Sequence, residues 1–165
     1  MERKDIPDGI LRTSTGLLID VFNPDPDCIL IEDIAHALSN LCRFGGHTPR
    51  FYSVAEHSIR CANLVPGRRR TLEALLHDAS EAYLVDVPSP IKKFLPEYKK
   101  IEDNLMKAIS LKFGFQYPVS KIVELADKAM LEIEWQSLMV DNSWITMPQE
   151  YARNTFLDYY NFLTK

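Results

Sequence analysis

The chain has 165 residues, enough to bury a substantial core and too few for two comfortable domains. Its composition, 46% hydrophobic and 25% charged, is that of a globular protein, and a net charge of −4 argues against a broad nucleic-acid-binding face. No run of about eighteen apolar residues is present to span a bilayer, and the N-terminal MERKDIPDG lacks an apolar leader. Cys28, Cys42 and Cys61 are odd in number and form no Cys-x-x-Cys pair, so they read as small buried or neutral thiols of a reducing compartment. The expectation is a soluble, cytoplasmic protein whose partners include neither a nucleic-acid polymer nor a membrane.

Residues 1–30 read as a short β-hairpin extension: Leu11 to Thr13, a turn near Gly16, then Leu17 to Phe22, stopped by Pro24 and Pro26. A helical core over 31–140 follows. Ile34, Leu38 and Leu41 recur at helical spacing in a helix ended by Gly45-Gly46, which places His36, Asn40 and Arg43 on one stripe. Ser53-Val54-Ala55-Glu56 has the form of a capping box opening a second helix. A third is expected over Arg69 to Tyr83, its start a solvated Arg68-Arg69-Arg70 run, with Leu72, Leu75, Leu76, Ala79 and Tyr83 facing the core. Pro88 and Pro90 force an extended stretch. A fourth helix begins near Pro96 and stops at Gly114. The fifth is expected over Pro118 to Val140, with Ile122, Leu125, Ala126, Ala129 and Ile133 inward, and residues 141–165 form a tail helix. Tail aromatics between Tyr151 and Leu163 are expected to dock on the core, some of them in a subunit contact. The predicted fold class is mostly α, a single-domain helical bundle with an N-terminal hairpin.

Four polar residues interrupt the apolar helical segments: His57, the pair His77-Asp78, and Asp127. Burying such groups is unfavourable unless something satisfies them. A divalent cation does so, because neutral imidazole and carboxylate are good ligands, and bundle cores build metal sites from several helices. Glu81 lies four residues beyond His77 and three beyond Asp78, so one helix offers an imidazole and two carboxylates toward nearly one point.

The ordered set His57, His77-Asp78, Asp127 resembles the H…HD…D signature of the HD superfamily of metal-dependent phosphohydrolases. The likeness runs from about Ile31 to Met139 and is strongest in RFGGHTPRFYSVAEHS and LLHDASEAYLVDVPSPIKK. These stretches look like the small bacterial and phage enzymes that hydrolyse 2′-deoxynucleotides. The resemblance implies an HD-type bundle and a divalent ion (Co, Mn, Zn, Fe or Mg) on His57, His77, Asp78 and Asp127, with a possible second ion at Asp78 and Glu81. It makes Glu81 the catalytic Glu. Arg43-Phe44 then stand in the place of an Arg-aromatic pair, with Arg43 clamping phosphate oxygens. Asp86, before the Pro-x-Pro turn, fixes a sugar hydroxyl, a second metal or the loop. Lys92 or Lys93 adds charge for phosphate or the pair sits in solvent, His47 in its Gly-rich loop touches substrate or orders the loop, and Arg43 draws His36 toward the pocket edge.

The expected reaction is hydrolysis of a deoxynucleotide, favoured as a dATP-like triphosphate releasing deoxynucleoside and tripolyphosphate. Alternatives are a 5′-deoxynucleotidase acting on dNMP, a guanosine tetraphosphate hydrolase, and a non-catalytic nucleotide-binding HD scaffold. A di-iron oxygenase needs histidines between the HD pair and the last Asp, and this chain has four in all with none after His77. The resemblance also implies self-association into a homo-oligomer, in the host cytoplasm if the chain is phage-encoded.

Overall fold

A computed structural model describes residues 6–165; residues 1–5, part of the expected hairpin extension, lie outside the described residues. The protein is mostly helical, with one two-stranded antiparallel sheet of β1 (Ile10–Arg12) and β2 (Leu18–Asp20). Ile10 pairs with Asp20 and Arg12 with Leu18 in a hairpin of the kind expected around Gly16. The hairpin tip is tied down by Asp33, which accepts hydrogen bonds from Ser14 Oγ, the Thr15 amide and Thr15 Oγ1 at 2.6 to 2.8 Å.

Eight α-helices follow: α1 (Ile31–Asn40), α2 (Val54–Leu64), α3 (Arg68–Leu75), α4 (Glu81–Leu84), α5 (Ser89–Lys92), α6 (Pro96–Phe113), α7 (Lys121–Glu134) and α8 (Gln149–Thr164). The central helix is α2, which packs against α1, α3, α7 and α8. One buried cluster joins them, with Ile34, Leu38, Ile59, Leu75, Leu105, Ile109 and Phe156 almost fully enclosed. The tail helix contributes Ala152, Phe156 and Leu163 to this core, whereas Tyr151 and Phe162 stay exposed. Among the described residues, no helix is long and apolar enough to cross a membrane.

Local chemistry explains most boundaries. Pro96 opens α6, and Gly114 closes it in the left-handed region, donating its N–H to Ser110 at 2.9 Å. Ser53 caps α2 by accepting from the Glu56 amide at 3.0 Å, but the reciprocal half of the expected box is absent. The Glu56 carboxylate instead accepts from Arg60 and from the Met147 amide, pinning the loop before α8 to α2.

Five expectations are corrected. The extended stretch ends at Pro88, because Pro90 sits in the first turn of α5, where its missing N–H costs nothing. The tail helix begins only at Gln149, since residues 141–148 are not helical. Helix α1 ends at Asn40, not at the glycines, because Leu41 to Arg43 run extended and pair with Tyr52 to Val54 (Arg43 N–H to Tyr52 O, 2.9 Å; Val54 N–H to Leu41 O, 3.0 Å). Arg43 therefore leaves the stripe of His36 and Asn40. The expected third helix is broken: residues 76–80 are turns between α3 and α4, although Leu72, Leu75, Leu76, Ala79 and Tyr83 are buried as expected. Helix α7 is rolled relative to its expected face. Val123, Ala126 and Met130 are buried, while Leu125, Ala129 and Ile133 are exposed. Both stripes have helical spacing, and the stripe carrying Asp127 and Glu134 is the one turned inward.

Candidate metal centre

Helix α2 brings His57 to the molecule's centre, fully buried. The turn after α3 brings His77 and Asp78, and α7 brings Asp127 from the opposite wall. Adjacent residues of a regular helix diverge by about 100°; the turn geometry at 76–80 lets His77 Nε2 and Asp78 Oδ2 meet at 3.3 Å. His57 Nε2 lies 3.4 Å from His77 Nε2, 3.6 Å from Asp78 Oδ2 and 3.2 Å from Asp127 Oδ1. His77 Nε2 is 3.8 Å from Asp127 Oδ1. Ligand bonds of about 2.1 Å in tetrahedral array put neighbouring donors about 3.4 Å apart, so these separations fit one cation at their middle. A His57, Cys61, His77 and Asp127 group can hold a metal ion by the same proximity.

The other ring nitrogens are already committed. His77 Nδ1 is 2.7 Å from the Ala74 carbonyl, and His57 Nδ1 is 2.5 Å from Glu134 Oε1. Each partner is an acceptor, so each Nδ1 carries a proton and both Nε2 atoms face the common point. Glu134 is fully buried and also accepts from Tyr52 Oη at 2.7 Å and from Arg43 Nε and Nη2 at 3.2 Å each. Burial would raise its pKa, but His57, Arg43 and Tyr52 hold it below the usual value. Burial disfavours the charged ring of His77, yet Asp78 and a hydrogen bond to Asp127 outweigh it and push the pKa up to about 10. Asp127, against its own burial, is held well below the ordinary carboxylate range by the two imidazoles. Protons thus sit where a cation would substitute for them.

A cavity of about 730 Å³ opens beside this cluster, lined by Asp78 and Asp127 together with Arg43, Phe44, His47, Glu81, Asp86 and Lys92. Glu81 is only 4% exposed; its Oε1 is 3.6 Å from Lys92 Nζ and its Oε2 has no hydrogen-bond partner. Burial, then Asp78 and Asp86, push its pKa well above normal. Burial raises that of Asp86 too. Lys92 is held by Glu102 at 2.7 Å, and Lys93 is exposed.

Most predicted site residues therefore converge, but two expectations change. His36 is exposed and does not line the cavity, a direct consequence of α1 ending before Arg43. Arg43 lines it, but Nε and Nη2 are taken by Glu134, leaving Nη1, 3.7 Å from Asp78, as the free edge in place of a two-pronged clamp. Glu134, Tyr52, Cys61 and Trp135 were not anticipated. Glu134 had a legible signal, since it follows Asp127 by seven residues, two turns along one face; Cys61 likewise follows His57 by four. Neither Tyr52 nor Trp135 had one.

Fold and site together define a mostly helical protein with a His/Asp cluster, buried at its imidazoles and open at its carboxylates, that could hold a metal ion. No family model matches the chain. It is 47% identical over 132 residues to the uncharacterized protein YfdR of Escherichia coli, covering 80% of this chain and 74% of that one. It is 35% identical over 140 residues to an uncharacterized protein of Rhodobacter capsulatus, covering 77% and 71% respectively. The chain belongs to the family of these proteins.

Proposed function

We propose that this protein is an HD-type metal-dependent phosphohydrolase acting on 2′-deoxynucleotides. The observation that carries the reading is the convergence of His57 Nε2, His77 Nε2, Asp78 Oδ2 and Asp127 Oδ1 at the wall of a cavity that also holds a buried, unpartnered carboxyl oxygen of Glu81. Asp78 is the better fourth ligand than Cys61. The Cys61 sulfur is 3.4 Å from His57 Nε2 and 3.9 Å from Nδ1, so it packs beside the ring and away from the line of the Nε2 lone pair.

A divalent cation bound to these four residues supplies a Lewis acid for phosphoryl oxygen and makes water a better nucleophile. The chain's own groups do the rest. Glu81 accepts the proton of the attacking water as the new P–O bond forms, and returns it to the 5′-oxygen as the old bond breaks. Lys92, 3.6 Å from Glu81 and anchored by Glu102, keeps positive charge beside that carboxyl. The Nη1 edge of Arg43 faces phosphate oxygens while Glu134 fixes the rest of the guanidinium.

The cavity's charge favours a monophosphate over the triphosphate expected above. Its only cationic side chains among the lining residues are Arg43 and Lys92, both already paired, against Asp78, Glu81, Asp86, Asp127 and Glu132. A triphosphate carries about two more negative charges than a monophosphate into that field, beyond what a cation on Asp78 and Asp127 offsets. The test is a panel of dAMP, dATP and guanosine tetraphosphate with Mn²⁺ or Co²⁺ and identification of the phosphate product, run beside Glu81→Ala. Orthophosphate from dAMP is expected. Tripolyphosphate from dATP would restore the longer substrate, and no turnover of any nucleotide by metal-loaded protein would support the scaffold reading instead.

A further inference from the structure

We propose that Trp135 and Phe44 form an aromatic clamp that holds the flat base of the substrate, with Trp135 as the main determinant of nucleoside binding. The inference rests on the nucleotide reading above and adds to it the residue that recognises the organic half of the molecule.

Two backbone irregularities meet at these rings. Phe44 has φ of 56°, in the left-handed region that a bulky aromatic residue rarely takes, and this conformation carries its ring to the cavity wall. Trp135 begins the stretch Trp135–Val140, where α7 widens into a π-helix, a local form that recurs at functional sites. The Phe44 and Trp135 ring centroids lie 6.3 Å apart with planes tilted by 49°. Parallel rings that enclose a base between them need about 7 Å, twice a van der Waals contact of about 3.5 Å, so the pair must open slightly and the exposed Trp135 ring must turn toward parallel to admit one. Trp135 is 53% exposed, although burying an indole is strongly favourable, and Leu131 and Met139 extend the same apolar wall.

The clamp also lies at a useful distance from the chemistry. Arg43 links the two: its guanidinium carbon is 5.7 Å from the Phe44 ring centre, and its Nη1 is 3.7 Å from Asp78. The cavity thus offers carboxylates beside the His57 and His77 cluster, and mutually tilted aromatic faces at Phe44 and Trp135, with Arg43 near both. A phosphate ester of a sugar bearing a planar base has that distribution of chemistry. Stacking tolerates any base, so the clamp sets affinity for nucleosides as a class.

The chain has two tryptophans, and Trp144 is engaged elsewhere, 4.2 Å beneath Arg60. Full-length Trp144→Phe protein therefore reports on Trp135 alone. Titration with 2′-deoxyadenosine, which has no phosphate to hydrolyse, should quench its fluorescence; 2-deoxyribose 5-phosphate, which has no base, should not. In the wild-type background, calorimetry should find deoxyadenosine bound roughly tenfold to a hundredfold more weakly by Trp135→Ala, with Trp135→Tyr recovering most of the loss. Equal binding of deoxyadenosine by wild type and Trp135→Ala, or equal quenching by the base-free sugar phosphate, overturns the clamp even if nucleotides are hydrolysed. Quenching by deoxyadenosine in a protein without turnover keeps the clamp and removes the hydrolase.

Discussion

Asp33 and Glu81 are equally hidden from solvent, at 3% and 4% exposure, and burial alone does not distinguish them. Their partners do. At the hairpin, both oxygens of Asp33 accept hydrogen bonds from Ser14 and Thr15, and these outweigh desolvation and lower its pKa. At the cavity, Glu81 leaves Oε2 without a donor, and desolvation with two neighbouring carboxylates raises its pKa. A buried carboxylate whose lone pairs are all satisfied stabilises the fold; one left unsatisfied beside a cavity is destabilising in the resting protein and available for proton transfer.

The sharpest test of this contrast is Glu81→Ala. Turnover is expected to fall by about 10²- to 10⁴-fold, while the unfolding midpoint holds or rises and bound metal stays at the wild-type level. Kinetics paired with metal analysis checks it, and a loss of metal or fold would place Glu81 with Asp33 as a structural group. Glu134→Ala should lower stability as well as turnover, costing about 3 to 5 kcal/mol in denaturant unfolding, because Arg43 and His57 lose their buried partner.

Chelation comes next in size. Protein in Mn²⁺ at a hundred times its dissociation constant should be more stable than chelated protein by about 2.7 kcal/mol. Thermal denaturation of Asp127→Ala should show almost none of that shift; an undiminished shift would remove Asp127 from the ligand set. The smallest effect belongs to Asp33→Asn, about 1 to 3 kcal/mol at pH 7 from its three hydrogen bonds. The folded pKa of Asp33 lies below its unfolded value near 3.8, so its contribution is complete above that pH and is lost as pH falls through the folded value. Urea titrations at descending pH should therefore show wild type and Asp33→Asn converging below about pH 4.

Much of the candidate site was legible because chemistry-bearing residues stood out against apolar helices. His57, His77, Asp78, Asp127 and Glu81 needed only residue type and order to be noticed, and all five lie at one cluster and its cavity. Arg43 and His36 show where such reading ends. Both sat on one helical stripe by periodicity, yet the Cys42 to Ser53 bridge ends the helix between them and sends one inward and one to solvent. That bridge joins residues eleven apart through backbone hydrogen bonds, which leave no mark on local periodicity.

Sequence alone determined the helical character, the hairpin, the stop at Gly114 and the inventory of candidate ligands, because these follow from residue type and short-range spacing. Tertiary structure decided which stripe of α7 faces inward, how far the broken turn at 76–80 swings His77 and Asp78 together, and that Glu134 holds Arg43 and orients His57. Those choices depend on packing and hydrogen bonds between segments up to 91 residues apart, where no local preference competes with the energy of a shared core.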